Sequence, residues 1–222
     1  DTGPKLLLWN AKERADRPAM REKYLGIWQT WSWSEMAGEV EGIAGGFKAL
    51  GLERGDRISI IGDTRPRLYW SIIAAQSLGA VPVPVYQDAV AEEMQYILEH
   101  AESRFIVCEN QEQVDKVLQI KDECPKIDTL VYADDRGMRD YTQPYLHNFD
   151  DVVDAVIGES DMTTFLGSLT AENDYLLPML LVKLHQHVDG VYNDAVLIAS
   201  TSCQNPQGSP YTKLTDVDFT GN

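Results

Sequence analysis

Between Arg57 and Tyr132 the chain alternates short apolar, β-branched runs with longer amphipathic stretches, and few folds tolerate that pattern. Arg57-Ile58-Ser59-Ile60-Ile61-Gly62 reads as a buried strand. Pro66 can open the helix that follows, through Tyr69, Trp70, Ile73 and Leu78. Val81 to Val85 reads as a second strand, made irregular by Pro82 and Pro84. A helix over 89–101 carries Met94, Ile97 and Leu98 on one face. Arg104 to Cys108 is a third strand, Gln111 to Lys121 a third helix with Val114, Val117, Leu118 and Ile120, and Thr129 to Tyr132 a fourth strand. The fold class expected is α/β: a mostly parallel sheet with helices on both faces. Ligands of such sheets gather beyond the C-terminal ends of the strands.

A β-hairpin is expected to precede this unit. Residues 19–33 alternate and are rich in aromatics, with Leu25-Gly26 as the turn. Ser32 and Glu35 form a Ser-x-x-Glu capping box, and Met36, Val40, Ile43, Ala44, Phe47 and Leu50 follow at helical spacing. Gly51 suits the C′ position that stops this helix. Residues 133–149 read as a polar, aromatic loop. Beyond them the pattern predicts a helix near Asp150–Ile157, a loop to about 174, an apolar element at 176–188 and a strand at 195–199.

Charge divides the chain at the same place. Its 222 residues carry a formal net charge of −16. Residues 150–222 hold two lysines (Lys183 and Lys213), no arginine and 11 acids. We therefore expect an α/β portion over 1–149, which is also the part that carries the resemblance described below, and a divergent acidic portion over 150–222, packed on the same domain. The acidic balance argues against a nucleic-acid partner, because phosphate backbones call for clustered Lys and Arg. Cys108, Cys124 and Cys203 are odd in number and far apart, which points to a reducing compartment. The first residues do not read as a signal peptide, and no apolar run approaches a transmembrane segment. The expected location is cytoplasmic or peripheral at a membrane.

Several residues could carry chemistry. The run Ser200-Thr-Ser-Cys-Gln-Asn-Pro-Gln-Gly208 follows the apolar Ala195–Ala199 and has the hydroxyls and glycine of a phosphate-gripping turn, but no lysine. Thr201, Ser202, Gln207 and Gly208 are the candidate contacts. His185 and His187 would share a side if they lie on a strand, yet no third ligand is near, so they read as surface histidines. Tyr86, Gln87 and Asp88 end the second strand, with Asp88 expected to cap the next helix. His100 reads as a structural residue at a helix end, Trp28, Trp31 and Trp33 as hairpin packing, and Cys108 as inert core.

A collinear set of stretches then points to a family. They are Pro18-Ala19-Met20-Arg21, Trp31-Ser32-Trp33-Ser34-Glu35-Met36, Ala49-Leu50-Gly51-Leu52-Glu53-Arg54-Gly55-Asp56-Arg57-Ile58-Ser59-Ile60, Arg65-Pro66-Arg67-Leu68-Tyr69-Trp70, and the segment from Ala74 to Tyr86. Glu99-His100-Ala101-Glu102 and Gln113-Val114-Asp115-Lys116 continue the set. In these stretches the chain resembles the N-terminal part of the large domain of AMP-forming acyl-CoA synthetases, of the long-chain fatty-acid–CoA ligase type. The resemblance implies ATP with Mg²⁺, coenzyme A as co-substrate and a fatty acid. A carboxylate attacks the α-phosphate of ATP, and coenzyme A thiol then displaces AMP from the acyl-adenylate.

The family's phosphate loop reads Thr-Ser-Gly-Thr-Thr-Gly-x-Pro-Lys-Gly. Here Thr201-Ser202, Asn205-Pro206 and Gly208 stand in its place, with Cys203 for the first Gly, Gln207 for the Lys, and two residues fewer between. Cys tolerates the glycine conformation poorly and Gln brings no charge. The metal-holding acid, the ribose-binding Asp and the C-terminal Lys of the family have no counterpart in the sequence. The expectation is a ligase-like chain that is inactive alone. The alternatives are a non-catalytic α/β binding module and a degenerate ATP/AMP sensor.

Overall fold

The computed structural model describes residues 2–154 together with the strands at 182–188 and 191–197. The first described unit lies within Asp1–Asp174 and the second within Tyr175–Asn222.

The first unit begins with a helix the sequence reading did not anticipate, α1 (Gly3–Glu13). The Thr2 hydroxyl accepts from the Lys5 amide at its start, and Pro4 stands in the first turn, where its missing N–H costs nothing. The hairpin follows as expected: β1 (Pro18–Tyr24) pairs antiparallel with β2 (Ile27–Ser32). Its two-residue turn has positive φ at both Leu25 (48°) and Gly26 (83°), the twist that suits right-handed strands. Helix α2 (Trp33–Ala49) starts at the expected capping box, with Glu35 N–H to Ser32 Oγ at 3.2 Å and Ser32 N–H to Glu35 Oε2 at 2.8 Å. It ends in a Schellman pair: Leu52 N–H to Phe47 C=O and Gly51 N–H to Lys48 C=O, both 2.9 Å, around Gly51 at φ 87°.

The parallel sheet comes next. Its strands and helices are β3 (Arg57–Ile61), α3 (Pro66–Ser77), β4 (Val81–Val85), α4 (Ala91–Ala101), β5 (Phe105–Cys108), α5 (Gln111–Gln119), β6 (Thr129–Tyr132), β7 (Leu146–Asn148) and α6 (Phe149–Asp154). The strand order is β4-β3-β5-β6-β7, and every pairing is parallel. Pro82 and Pro84 sit in regular strand geometry because β4 is the edge among the described strands of this sheet. Val81 N–H donates toward β3, to Asp56 C=O at 2.8 Å, so the alternate proline positions face the open side. The stretch expected as loop over 133–149 in fact holds a 3₁₀ turn (Met138–Asp140) and the three-residue β7, too short to show a period.

Alternation along each strand sorts side chains to two cores. Phe105 and Val107 of β5, with Ile58, Ile60 and Val131, pack under α1, α2, α3 and α6. Ile106 and Cys108, with Ile61, Val85 and Leu130, pack under α4 and α5. Both faces are covered, which is why these strands read as unbroken apolar runs. The polar exception on β3, buried Ser59, bonds Ser103 Oγ at 2.6 Å.

At the N-terminal edge of the sheet one guanidinium joins three segments. Arg104, just before β5, binds Asp56 before β3, Asp128 before β6, and Gly51 C=O at 3.0 Å after α2. In the second unit β8 (Val182–Val188) and β9 (Val191–Leu197) form an antiparallel hairpin, with Val188 opposite Val191. The elements expected at 176–188 and 195–199 meet it where described.

Candidate functional site

The path of the chain through the sheet marks the place to look. From β3 the chain steps outward to β4 and then crosses back over β3 to β5. Connections therefore leave β3 and β5 in opposite directions, and the C-terminal ends at such a switch point are where ligands of α/β sheets gather. Gly62, Asp63, Thr64 and Arg65 follow β3 there, and Glu109 and Asn110 follow β5.

Geometry at this point is close and polar. Gly62 has φ 154°, and a Cβ on it would stand 2.5 Å from Glu109 Cβ and 2.6 Å from Leu68 Cδ1, so only glycine fits. Both oxygens of the Glu109 carboxylate are held. Asp63 N–H donates to Oε2 at 2.5 Å and Arg65 Nε–H to Oε1 at 2.8 Å. Arg65 also donates from Nη1 to Glu22 Oε1 at 2.7 Å, tying hairpin strand β1 to the sheet. The hydrogen bond to Glu22, then the bond and charge of Glu109, raise the Arg65 pKa against the opposing effect of burial. Beside them, Asp134 N–H bonds Glu109 C=O at 2.8 Å. Arg136 grips the Asp134 carboxylate and lowers its pKa through that hydrogen bond. Arg67 donates to Ala133 C=O at 2.8 Å and to Asp150 Oδ1 at 2.6 Å, its guanidinium 5.1 Å from the Phe149 ring.

These groups do not fit a triphosphate. An anion at such a turn needs free N–H donors and an uncommitted positive field. The Asp63 amide already holds Glu109, and the Thr64 amide holds Asp63 Oδ1 at 2.7 Å. Pro66 opens α3 without an N–H, and Arg65 is shared between two carboxylates. Thr201, Ser202, Gln207 and Gly208, with Cys203 among them, lie outside the described residues.

The remaining candidates separate. Asp88 does not cap α4: the N-cap is Val90. A turn closed by Ala89 N–H to Tyr86 C=O at 3.1 Å delays the helix by two residues relative to the expected start at 89. Asp88 instead accepts from the Tyr86 hydroxyl, which raises the tyrosine pKa. Gln87 offers its C=O to Lys116 Nζ at 2.8 Å. Tyr86, Ala89, Glu92, Glu93, Tyr96 and Ile97 line a shallow open concavity. His100 lies in the last turn of α4 and stacks on Tyr96, ring centroids 5.8 Å apart. The three tryptophans are not one cluster. Trp31 meets Trp70 edge-on at 5.2 Å, Trp33 packs on the core beneath α2, and Trp28 is 64% exposed. Their strand pairing sends Trp28 to the opposite face of the hairpin from Trp31. Cys108 is fully buried, and desolvation pushes its thiol pKa strongly up, as suits inert core. His185 and His187 occupy alternate positions on β8, opposite Asp194 and Tyr192.

Sequence reasoning missed the Glu22–Arg65–Glu109 arrangement. Arg65 lies 43 residues from Glu22 and 44 from Glu109, so no local spacing links them. The signal available was topological: acids and an arginine directly following two apolar strands that the βα order makes neighbours.

Comparison with known proteins gives these features a family context. The family described as AMP-binding enzyme matches residues 7–167. "Uncharacterized protein Rv1549" of Mycobacterium tuberculosis is 35% identical over 89 residues, 40% of this chain and 50% of that protein. The long-chain-fatty-acid–CoA ligase ACSBG2 of Xenopus laevis is 29% identical over 120 residues, 54% of this chain and 16% of the ligase. The chain thus spans half the length of one relative and less than a fifth of the other. Among solved structures, the N-terminal domain of FACL13 from Mycobacterium tuberculosis superposes with a TM-score of 0.62 at 16% identity. That superposition covers 88% of this chain and 44% of the FACL13 chain, and it shows a common fold.

Proposed function

The chain belongs to the AMP-binding enzyme family, and from that membership we propose that it is part of the adenylating domain of a long-chain fatty-acid–CoA ligase and does not complete the ligation by itself. The carrying observation is the family match over residues 7–167, joined to a hairpin and five-stranded parallel sheet of the expected kind. ATP, a fatty acid and coenzyme A are the substrates this reading supplies, with Mg²⁺ as the metal. In such a ligase ATP activates the carboxylate as an acyl-adenylate, and the thiol of coenzyme A then takes the acyl group.

In this reading residues 1–149 are scaffold and residues 150–222 are a divergent acidic portion. The scaffold's own work is positional. Arg65 and Glu22 pin the hairpin to the sheet, and Arg67 pins α3 to β6 and α6. Thr201, Ser202, Gln207 and Gly208 stand as counterparts of the phosphate loop. Two of their features weaken phosphate binding: Gln207 supplies no cation, and Cys203 resists the backbone approach a glycine permits. The switch point offers no substitute, since its amides and its arginine are already engaged.

The purified chain is to be incubated with ATP-Mg²⁺, a long-chain fatty acid and coenzyme A, and AMP release measured. No release above a protein-free control is expected. Robust turnover would overturn the proposal of inactivity.

A further inference from the structure

We infer that the switch-point turn is an oxyanion site whose resident ligand is the chain's own Glu109 carboxylate. One carboxylate oxygen takes a backbone amide, Asp63 N–H, and the other takes a guanidinium, Arg65 Nε–H. An external carboxylate or phosphate would be bound by the same two kinds of donor at the strand ends. The Arg65 side chain is 44% exposed, yet three further observations mark the position as more than a surface ion pair. The Glu109 side chain is only 12% exposed. Gly62 at φ 154° leaves room for it that any Cβ would remove. Arg65 is itself oriented by Glu22 from a different element.

The ligand is therefore supplied in cis, from β5 to the β3–α3 turn. The consequence is that the turn depends on an anion at this spot and not on the Glu109 backbone. A phosphate at the same donors would have to displace Glu109. This inference does not rest on the ligase reading, and its test needs neither ATP nor coenzyme A.

Acetate is the probe, because Glu109→Ala removes the atoms of a methyl-carboxylate unit. Wild type, Glu109→Ala, Glu109→Gln and the Arg65→Ala/Glu109→Ala double variant are melted in acetate and in chloride of equal ionic strength. Glu109→Ala is expected to melt below wild type and to recover by a few degrees, saturably, in acetate but not in chloride, as linkage to a bound ligand requires. Wild type, the double variant and Glu109→Gln, whose carboxamide still fills the space, are expected not to respond specifically to acetate. If Glu109→Ala does not fold in chloride, refolding across an acetate series replaces the melt. Folding that appears with acetate supports the inference, and none at any acetate concentration overturns it. Equal responses to acetate and chloride, acetate rescue of the double variant, or a Glu109→Ala melt identical to wild type also overturn it.

Discussion

Phe47 of α2 and Phe105 of β5 meet ring to ring, 5.2 Å between centroids with their planes tilted by 59°. Both are fully buried, and the pair joins the first long helix to the strand at the middle of the sheet. Removing one ring loses its transfer free energy and leaves a cavity that packed neighbours cannot close. Phe105→Ala is expected to cost about 3–5 kcal/mol. Urea unfolding followed by circular dichroism measures it, and a loss below about 1 kcal/mol, the scale of an ordinary surface change, would contradict the packing described.

Arg104 closes the opposite edge of the sheet from Glu109. It serves Asp56, Asp128 and the Gly51 carbonyl together, so its loss unpairs two carboxylates and a helix-end carbonyl. All three partners are partly solvated, which limits the penalty. Arg104→Ala is expected to cost about 1–3 kcal/mol. Arg104→Lys keeps the charge but not the planar fork that spans three acceptors, so it should recover less than half of the loss. A lysine variant as stable as wild type would show that charge alone matters.

His147 on β7 supplies a pH dependence of known sign. Burial lowers its folded-state pKa below the ordinary histidine value of 6.5. The unfolded chain therefore binds a proton more readily than the folded one as pH falls through 6.5. The stabilising contribution is complete above that pH and is lost as pH drops toward the lowered folded value. His147→Gln removes this part. The fall in urea midpoint between pH 7.5 and pH 5.5 should be smaller in the variant than in wild type. Equal falls would rule out the burial-shifted histidine as a source.

The fold was legible where short-range rules act alone. Ser32 and Glu35 lie within one turn, and Leu25-Gly26 within one two-residue loop, so their roles could be read from adjacency. The same holds for the strand and helix cores, where the period of burial is the period of the sequence. Helix α1 and strand β7 were missed for different reasons. Helix α1 has a mixed composition whose buried face, including Asn10, is chosen by α2 and α3 against it. Strand β7 is three residues long and exists because β6 offers it an edge. Asp88 was misplaced because a tight turn at Tyr86 to Ala89, invisible to capping statistics, comes before the helix.

By itself the sequence determined the family, the α/β class, the hairpin and the βα rhythm, because each is written in local periodicity, caps and turn residues. Only the tertiary structure decided which charges meet. Glu22, Arg65 and Glu109 come together because the chain steps from β3 to β4 and returns across the sheet to β5, placing two strand ends side by side. That step decides as well that the Glu109 carboxylate reaches the donors of the β3–α3 turn. Hydrogen bonds and ion pairs act over a few ångströms in space, and separation along the chain carries no information about them until the sheet order is known.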